Sequence, residues 1–77
     1  MKATTAKRII TDILNEFEEV TLTIEMNNGR VFVADVNRQG DYATIAWDDE
    51  DPTIMRIEVE DNGTKWIDAD QIMSIEI

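Results

Sequence analysis

The sequence contains no cysteine and no histidine among its 77 residues. It therefore lacks the side chains for a disulfide, a thiolate nucleophile, a histidine general base or a Cys/His zinc site. Proline occurs once and glycine three times. The sequence holds no run of about 18 apolar residues, and Met1–Lys2–Ala3–Thr4 does not open a signal peptide. We expect one cytoplasmic domain over residues 1–77, with no metal, no cofactor and no membrane contact.

Basic residues are scarce, with seven Lys and Arg against 17 Asp and Glu and a formal charge of −10. Lys2, Lys7 and Arg8 fall within the first 11 positions, so the rest of the chain carries −13. Such a body repels phosphate backbones and attracts basic proteins. Acidity that serves solubility or a salt-rich host is the alternative. An apolar content of 43% is too high for a disordered acidic tail.

Apolar residues near the N-terminus predict a helix over about 5–18. Their spacings of one, three and four place them in a single stripe along one side of a helix. The residues of the stripe are Ile9, Ile10, Ile13, Leu14, Phe17 and Val20. Thr4 or Thr5 is expected to cap the helix, because a hydroxyl can accept a bond from a free amide of the first turn. Charges at both ends oppose the helix dipole, so packing of the stripe must stabilise the helix.

From Val20 the apolar period changes to two, which predicts a strand followed by a hairpin at Asn27–Asn28–Gly29. A two-residue turn would set Asp35 opposite Leu22 and bury a charge. A three-residue loop with Gly29 in the left-handed conformation avoids this, so we expect that register. It pairs Val20 with Val36, Leu22 with Ala34, Ile24 with Phe32 and Met26 with Arg30.

Further strands are predicted at about 30–38, 42–47, 53–60, 64–68 and 72–77. Turns are expected at Gln39–Gly40–Asp41, at the acidic run before Pro52, at Asp61–Asn62–Gly63 and at Ala69–Asp70. Whether the strand over 53–60 is an insertion stays open. One helix followed by five or six antiparallel strands predicts a mostly β fold. We expect a small closed barrel over about 20–77, with the helix covering one end.

Several segments resemble the Sm-like (SH3-like) barrel of ring-forming RNA proteins. The resemblance covers the first hairpin, the third strand and the last turn, at Met26–Arg30, Tyr42–Asp48 and Trp66–Ile75, together with Ala34 and Val36. The residues that hold a base in that family are absent. Thr44 stands where the family has Asn, and Asp68–Ala69 replaces Arg–Gly, which reverses the sign of a phosphate contact. Direct RNA binding is therefore the less favoured function.

The acidic segment Lys65–Ile72 is similar to the strand–turn–strand that ends the Rho-inhibitor (antiterminator) family. That family also has an Sm-like barrel after a helix, and its members act by docking on a nucleic-acid-handling protein. The resemblance implies the same mode of action here: binding without catalysis.

Eight acidic residues are the candidate partner-binding groups: Asp41, Asp48, Asp49, Glu50, Asp51, Asp61, Asp68 and Asp70. If they share one face, their carboxylates would be spaced like phosphates and the protein would be a DNA mimic. Residues 48–51 can also be read as calcium ligands. The glycine-containing loop with alternating ligands is missing, however, so a solvated loop is favoured.

Tyr42, Trp47 and Trp66 are candidates for an aromatic cage around a methylated cation. A core role is favoured for Trp47 by alternation, and for Trp66 because a small core needs large side chains. Asp68 and Asp70 are a candidate acid–base pair, but a chain of this size offers little cleft, and no nucleophile stands with a base. We expect no enzymatic activity.

The leading hypothesis is an acidic protein-binding module that inhibits or modulates a nucleic-acid-binding protein, as phage and prophage regulators do. The alternative is a ring- or dimer-forming assembly protein. In that case the apolar strand edge at 72–77 would pair with another copy, since an unprotected edge favours strand addition.

Overall fold

The computed structural model describes residues 1–37, 45–59 and 63–77. The described part contains one α-helix, α1 (Ala3–Glu16), and six strands. The strands are β1 (Glu19–Met26), β2 (Val31–Asn37), β3 (Ile45–Trp47), β4 (Ile54–Val59), β5 (Gly63–Asp68) and β6 (Ile72–Glu76). The predicted turn at 39–41, the start of the third strand with Tyr42 and Thr44, and the candidates Asp41 and Asp61 lie outside the described residues.

Every strand pairing is antiparallel, and the described strands form two three-stranded sheets, ordered β2–β1–β6 and β3–β4–β5. The predicted closed barrel is therefore wrong for the described residues. β2 packs against β4, yet each strand stays in its own sheet. A 3-10 turn at Ala69–Gln71 separates β5 from β6 and carries the chain from one sheet to the other. The mostly β fold with an N-terminal helix is confirmed.

The register of the first hairpin is confirmed. Leu22 lies opposite Ala34 and Val20 opposite Val36, and the amide of Met26 donates to the carbonyl of Arg30. Gly29 has a φ of 86°, in the left-handed region that a three-residue loop requires. Asp35 lies on the outer face, where its carboxylate accepts a 2.6 Å bond from the Thr21 hydroxyl. The register that leaves this charge in solvent is the one that forms.

The core lies between the two sheets and under α1. Its largest fully buried side chains come from four strands: Leu22, Ile24, Val36, Met55, Ile57 and Ile72. α1 contributes Ala3, Ala6 and Ile10, with Ile13 and Leu14 half-buried, and it packs on β6 and the 3-10 turn. The helix thus buries one stripe, but the stripe begins at two alanines that hydropathy alone did not single out. Phe17, at the helix end, is partly exposed.

The predicted helix cap is wrong. α1 begins at Ala3, and its N-cap residue is Lys2, whose side chain makes no capping bond to the described residues. Thr4 and Thr5 both lie inside the helix. The free amide of Ala3 is satisfied instead by the Asp70 carboxylate at 2.7 Å. A carboxylate at this end also suits the positive end of the helix dipole.

Candidate functional site

The acidic run between β3 and β4 forms a tight turn over residues 48–51, called the acidic turn below. One oxygen of Asp48 accepts bonds from the backbone amides of Glu50 (2.8 Å) and Asp51 (3.1 Å). This arrangement is an Asx-type turn, in which a carboxylate replaces a backbone acceptor. The run Asp-Asp-Glu-Asp forms this turn because the carboxylate of its first residue accepts hydrogen bonds from the amides of the third and fourth residues.

Asp51 closes the acidic turn against Thr53. Its carboxylate accepts a 2.7 Å bond from the Thr53 hydroxyl and a 3.1 Å bond from the Thr53 amide. The hydroxyl bond, followed by the amide bond, lowers the pKa of Asp51 below its ordinary value of 3.8.

Asp49 and Glu50 occupy the tip of the acidic turn and are exposed. Within the described part of the chain, neither carboxylate makes a hydrogen bond. Asp48 and Asp51 shape the turn, so Asp49 and Glu50 are the two acids of the run whose oxygens remain available to an outside ligand.

Asp68 and Asp70 hold the connection between β5 and β6. The Asp68 carboxylate caps the 3-10 turn by accepting a 3.0 Å bond from the amide of Asp70. Asp70 accepts from Ala3, and the N-terminal ammonium group of Met1 donates to the carbonyl of Ile72. Asp68 thus shapes the turn, and Asp70 joins it to the N-terminus of the chain, structural roles that the sequence did not predict.

The backbone brings the acidic turn and the Asp68–Asp70 segment to one end of the β3–β4–β5 sheet. The amide of Asp48 donates to the carbonyl of Ile54 at 3.0 Å, and Ile54 is the register partner of Asp68. The amide of Ala69 donates to the carbonyl of Thr53 at 2.8 Å. Six predicted partner-binding residues thus meet at this end, called the acidic end below: Asp48, Asp49, Glu50, Asp51, Asp68 and Asp70. Asp41 and Asp61 lie outside the described residues.

A concavity of about 400 Å³ lies beside the acidic turn on the outer face of this sheet. Its floor is a row of register partners across the three strands, Ala46, Arg56 and Trp66. The remaining lining residues are Trp47, Asp48, Asp49 and Glu50. The concavity combines an accessible indole with carboxylates, which is the chemistry that accepts a cationic side chain.

Trp66 is 65% exposed, so the prediction that it belongs to the core is wrong. On β5 the inward positions are taken by Lys65 and Ile67, and Trp66 alternates with them onto the outer face. Trp47 is half-buried and packs against the core, as alternation predicted. The sequence of β5 did not show clearly which face of the strand is buried. One face carries Trp66 between polar residues, and the other face carries Ile67 together with Lys65.

The candidate aromatic cage does not form from the two described tryptophans. Trp47 is the register partner of the buried Met55, so its ring lies on the inner face of the sheet, whereas Trp66 lies on the outer face. Tyr42 lies outside the described residues. The ammonium group of Lys7 sits 5.9 Å from the centroid of the Trp47 ring, within the range of a cation–π contact. Trp47 is thus partly engaged by the chain's own cation, and Trp66 offers the more accessible ring.

Arg56 is the functional candidate that sequence reasoning missed. Its side chain is exposed and lines the concavity together with Trp66 and the acidic turn. Among the described residues Arg56 forms no ion pair with these carboxylates. The available signal was the period-two pattern of residues 54–59, which places Arg56 on the outer face of β4.

The described residues contain no group of three or more acidic side chains placed to hold a metal ion. No helix in the described part of the chain combines the length and apolarity that a membrane span needs. Comparisons with protein-family models, with curated proteins and with solved structures give no significant match.

Proposed function

We propose that this protein is a non-enzymatic binding module that inhibits or modulates a nucleic-acid-binding protein. The observation that carries the proposal is the convergence of six acidic residues at one end of the β3–β4–β5 sheet, beside an exposed tryptophan. Acidic side chains supply charge, and an exposed aromatic ring supplies the apolar anchor that interfaces favour. The partner is a basic protein.

Electrostatics support a partner that itself binds nucleic acid. The net charge of −10 repels phosphates, and a surface that attracts phosphates also attracts clustered carboxylates. Occupation of such a surface by the acidic end would exclude DNA or RNA from it. The protein would then act as a DNA mimic.

The family resemblance is consistent with this proposal. We propose that the helix and the two antiparallel sheets are an open variant of the Sm-like architecture, and that the last strands correspond to those of the Rho-inhibitor family. The inferred place of action is the cytoplasm, where proteins that handle nucleic acid work. In this proposal the acidic end, rather than a base-binding pocket, is the working surface.

Capture of partners from host lysate by the immobilised protein tests the proposal. We expect a basic nucleic-acid-handling protein to be retained at about 0.1 M salt and released near 1 M, as the screening length falls from about 10 Å to about 3 Å. The double variant Asp49→Asn with Glu50→Gln should retain less of it. The matched control is Asp12→Asn with Glu16→Gln, which removes the same charge from exposed positions of α1.

Competition then tests inhibition directly. The captured protein is mixed with labelled oligonucleotide, and its nucleic-acid binding should decrease as the wild-type module is added. Equal retention of the partner by the acidic-turn variant and the α1 control would contradict the proposed surface. A partner that still binds its oligonucleotide fully when saturated with the module would contradict inhibition.

A second candidate function is assembly through β6, and it has its own observation. In the described residues β6 pairs on one side with β1, and Met73 and Ile77 are 50% and 68% exposed. An exposed apolar strand edge favours addition of another strand. Light scattering across concentration separates the two functions. A stable hexamer or heptamer supports assembly, and a monomer supports the modulator.

A further inference from the structure

We propose that the concavity on the outer face of the β3–β4–β5 sheet binds an arginine side chain of the partner. The guanidinium group would stack on the Trp66 indole and donate hydrogen bonds to the carboxylates of Asp49 and Glu50. This inference rests on the proposed function and specifies the chemistry that the partner must present at this site.

The exposure of Trp66 favours a role in binding. Aromatic side chains dominate the energetics of cores and interfaces because each can bury about 150–250 Å². Among the described residues the fully buried side chains are aliphatic or methionine, and the Trp66 side chain is left 65% exposed on β5. An exposed ring at the floor of a concavity is placed for an interface rather than for stability.

The charge of the residues that line the concavity favours a cation. Three carboxylates, from Asp48, Asp49 and Glu50, face one cation, Arg56. Asp48 is held by backbone amides, whereas Asp49 and Glu50 keep their oxygens unbonded within the described part of the chain. The net charge of the lining is negative, in agreement with the whole chain. Charge complementarity therefore selects a cationic occupant over an anionic one.

The chemistry of the concavity favours arginine over lysine. A guanidinium is planar and weakly hydrated, stacks on an aromatic face and presents paired N–H donors to carboxylates. An ammonium group is a compact, strongly hydrated charge that gains less from a flat ring. The Trp66 ring with carboxylates beside it therefore suits a planar guanidinium better than an ammonium group.

The open shape of the concavity favours a cation that belongs to a protein partner. Small-molecule sites enclose most of their ligand's surface. Here the floor is an open sheet face next to the acidic end, so a side chain projecting from a larger basic surface fits better than a free metabolite. The acidic end would contact the surrounding basic surface while the concavity takes one arginine.

The test uses the full chain with hexa-arginine and hexa-lysine peptides of equal charge. Calorimetry gives the affinities, and the two indole N–H signals in NMR spectra report the site. The signal that is missing from a Trp66→Leu variant identifies Trp66. We expect that signal to shift on addition of hexa-arginine, and hexa-arginine to bind more tightly than hexa-lysine.

Two variants should weaken hexa-arginine binding, and a third should tighten it. Trp66→Leu should weaken hexa-arginine binding by about 2- to 30-fold, the range that corresponds to cation–π contacts of about 0.5–2 kcal/mol. Asp49→Asn with Glu50→Gln should weaken it more than the α1 control Asp12→Asn with Glu16→Gln. Arg56→Gln should tighten binding, because it removes a like charge from the lining. Thermal unfolding checks that each variant remains folded.

The outcomes separate this inference from the proposed function. If both peptides bind equally and Trp66→Leu has no effect, the arginine site is overturned while the acidic surface stands. If Arg56→Gln weakens binding, the occupant contacts Arg56 and the inference is also overturned. If neither peptide binds the wild-type protein at low salt, the proposed attraction to basic partners fails together with the site.

Discussion

The carboxylate of Asp70 accepts a 2.7 Å hydrogen bond from the backbone amide of Ala3, which lies 67 residues earlier in the chain. This bond caps α1 from outside the helix and ties the first turn to the segment between β5 and β6. The neighbouring bond from the Met1 ammonium group to the Ile72 carbonyl joins the same two parts. The chain thus secures its N-terminus through a residue that was predicted to bind a partner.

Replacement of Asp70 by alanine should destabilise the protein. Loss of a capping carboxylate costs about 0.5–2 kcal/mol, because the helix amide loses its acceptor and the dipole loses its counter-charge. Urea unfolding followed by circular dichroism measures the change. Asp70→Asn, which keeps an acceptor oxygen, should lose less, and Asp49→Asn should leave stability nearly unchanged. Equal stability of Asp70→Ala and wild type would refute the capping role.

Replacement of Thr53 by valine should raise the pKa of Asp51 toward its ordinary value of 3.8. Valine keeps the shape of threonine but removes the hydroxyl that donates to Asp51, which is the main cause of the lowered pKa. NMR titration of the Asp51 carboxyl group measures the shift. Thr53→Ser, which keeps a hydroxyl, should preserve most of the depression.

The same pair predicts a pH dependence of stability. A carboxyl group whose pKa is lower in the folded than in the unfolded state stabilises the folded protein. This contribution is complete at pH values above the unfolded-state pKa, and it is lost as the pH falls through the folded-state pKa. The stability difference between wild type and Thr53→Val should therefore be present at neutral pH and shrink below pH 3.8. A difference that persists unchanged in stronger acid would show that the hydroxyl acts by another route.

Replacement of Gly29 by alanine should destabilise the first hairpin by about 1–2 kcal/mol, because its φ of 86° is costly for a residue with a Cβ atom. Space is not the cause, since a Cβ at this position has no described neighbour within 4 Å. Gly29→Asn is the matched control and should cost less, because asparagine tolerates the left-handed region better. Denaturant unfolding compares the three proteins. An alanine variant as stable as wild type would contradict the left-handed loop.

Oligonucleotide binding should be weak. With a net charge of −10, we expect no retention of U-rich or A-rich RNA in a filter-binding assay at about 0.1 M salt, where exposed charges still act over about 10 Å. Tight binding of either oligonucleotide would contradict the proposed function. A basic RNA-binding protein at the same concentration serves as the control.

Local patterns predicted most of the secondary structure. The helix lies at Ala3–Glu16, about two residues before its predicted position, because the alanines at its start pack as well as the larger residues that defined the stripe. The register of β1 and β2 was predicted correctly, since the alternative would have buried the charge of Asp35. Predictions of this kind succeed when one wrong choice carries a large desolvation cost.

Predictions that depended on distant parts of the chain were less successful. The outward position of Trp66 depends on which face of β5 meets the opposite sheet, and the residues of β5 favour neither face strongly. The separation into two sheets depends on the 3-10 turn, which Asp68 caps. The clustering of acidic residues on one surface was a hypothesis based on composition. In the structure, the pairing of Ile54 with Asp68 brings together six of the eight candidate partner-binding residues.

The sequence by itself determined the helix, the described strands, the first hairpin and the sign of the charge, because these follow from neighbouring residues and from the cost of burying a carboxylate. The tertiary structure alone decided that Asp70 caps α1, that Trp66 faces solvent and that Arg56 joins the acidic turn around one concavity. Each of these features joins segments that are far apart in sequence, so it exists only once the backbone has packed two sheets and a helix around a common core.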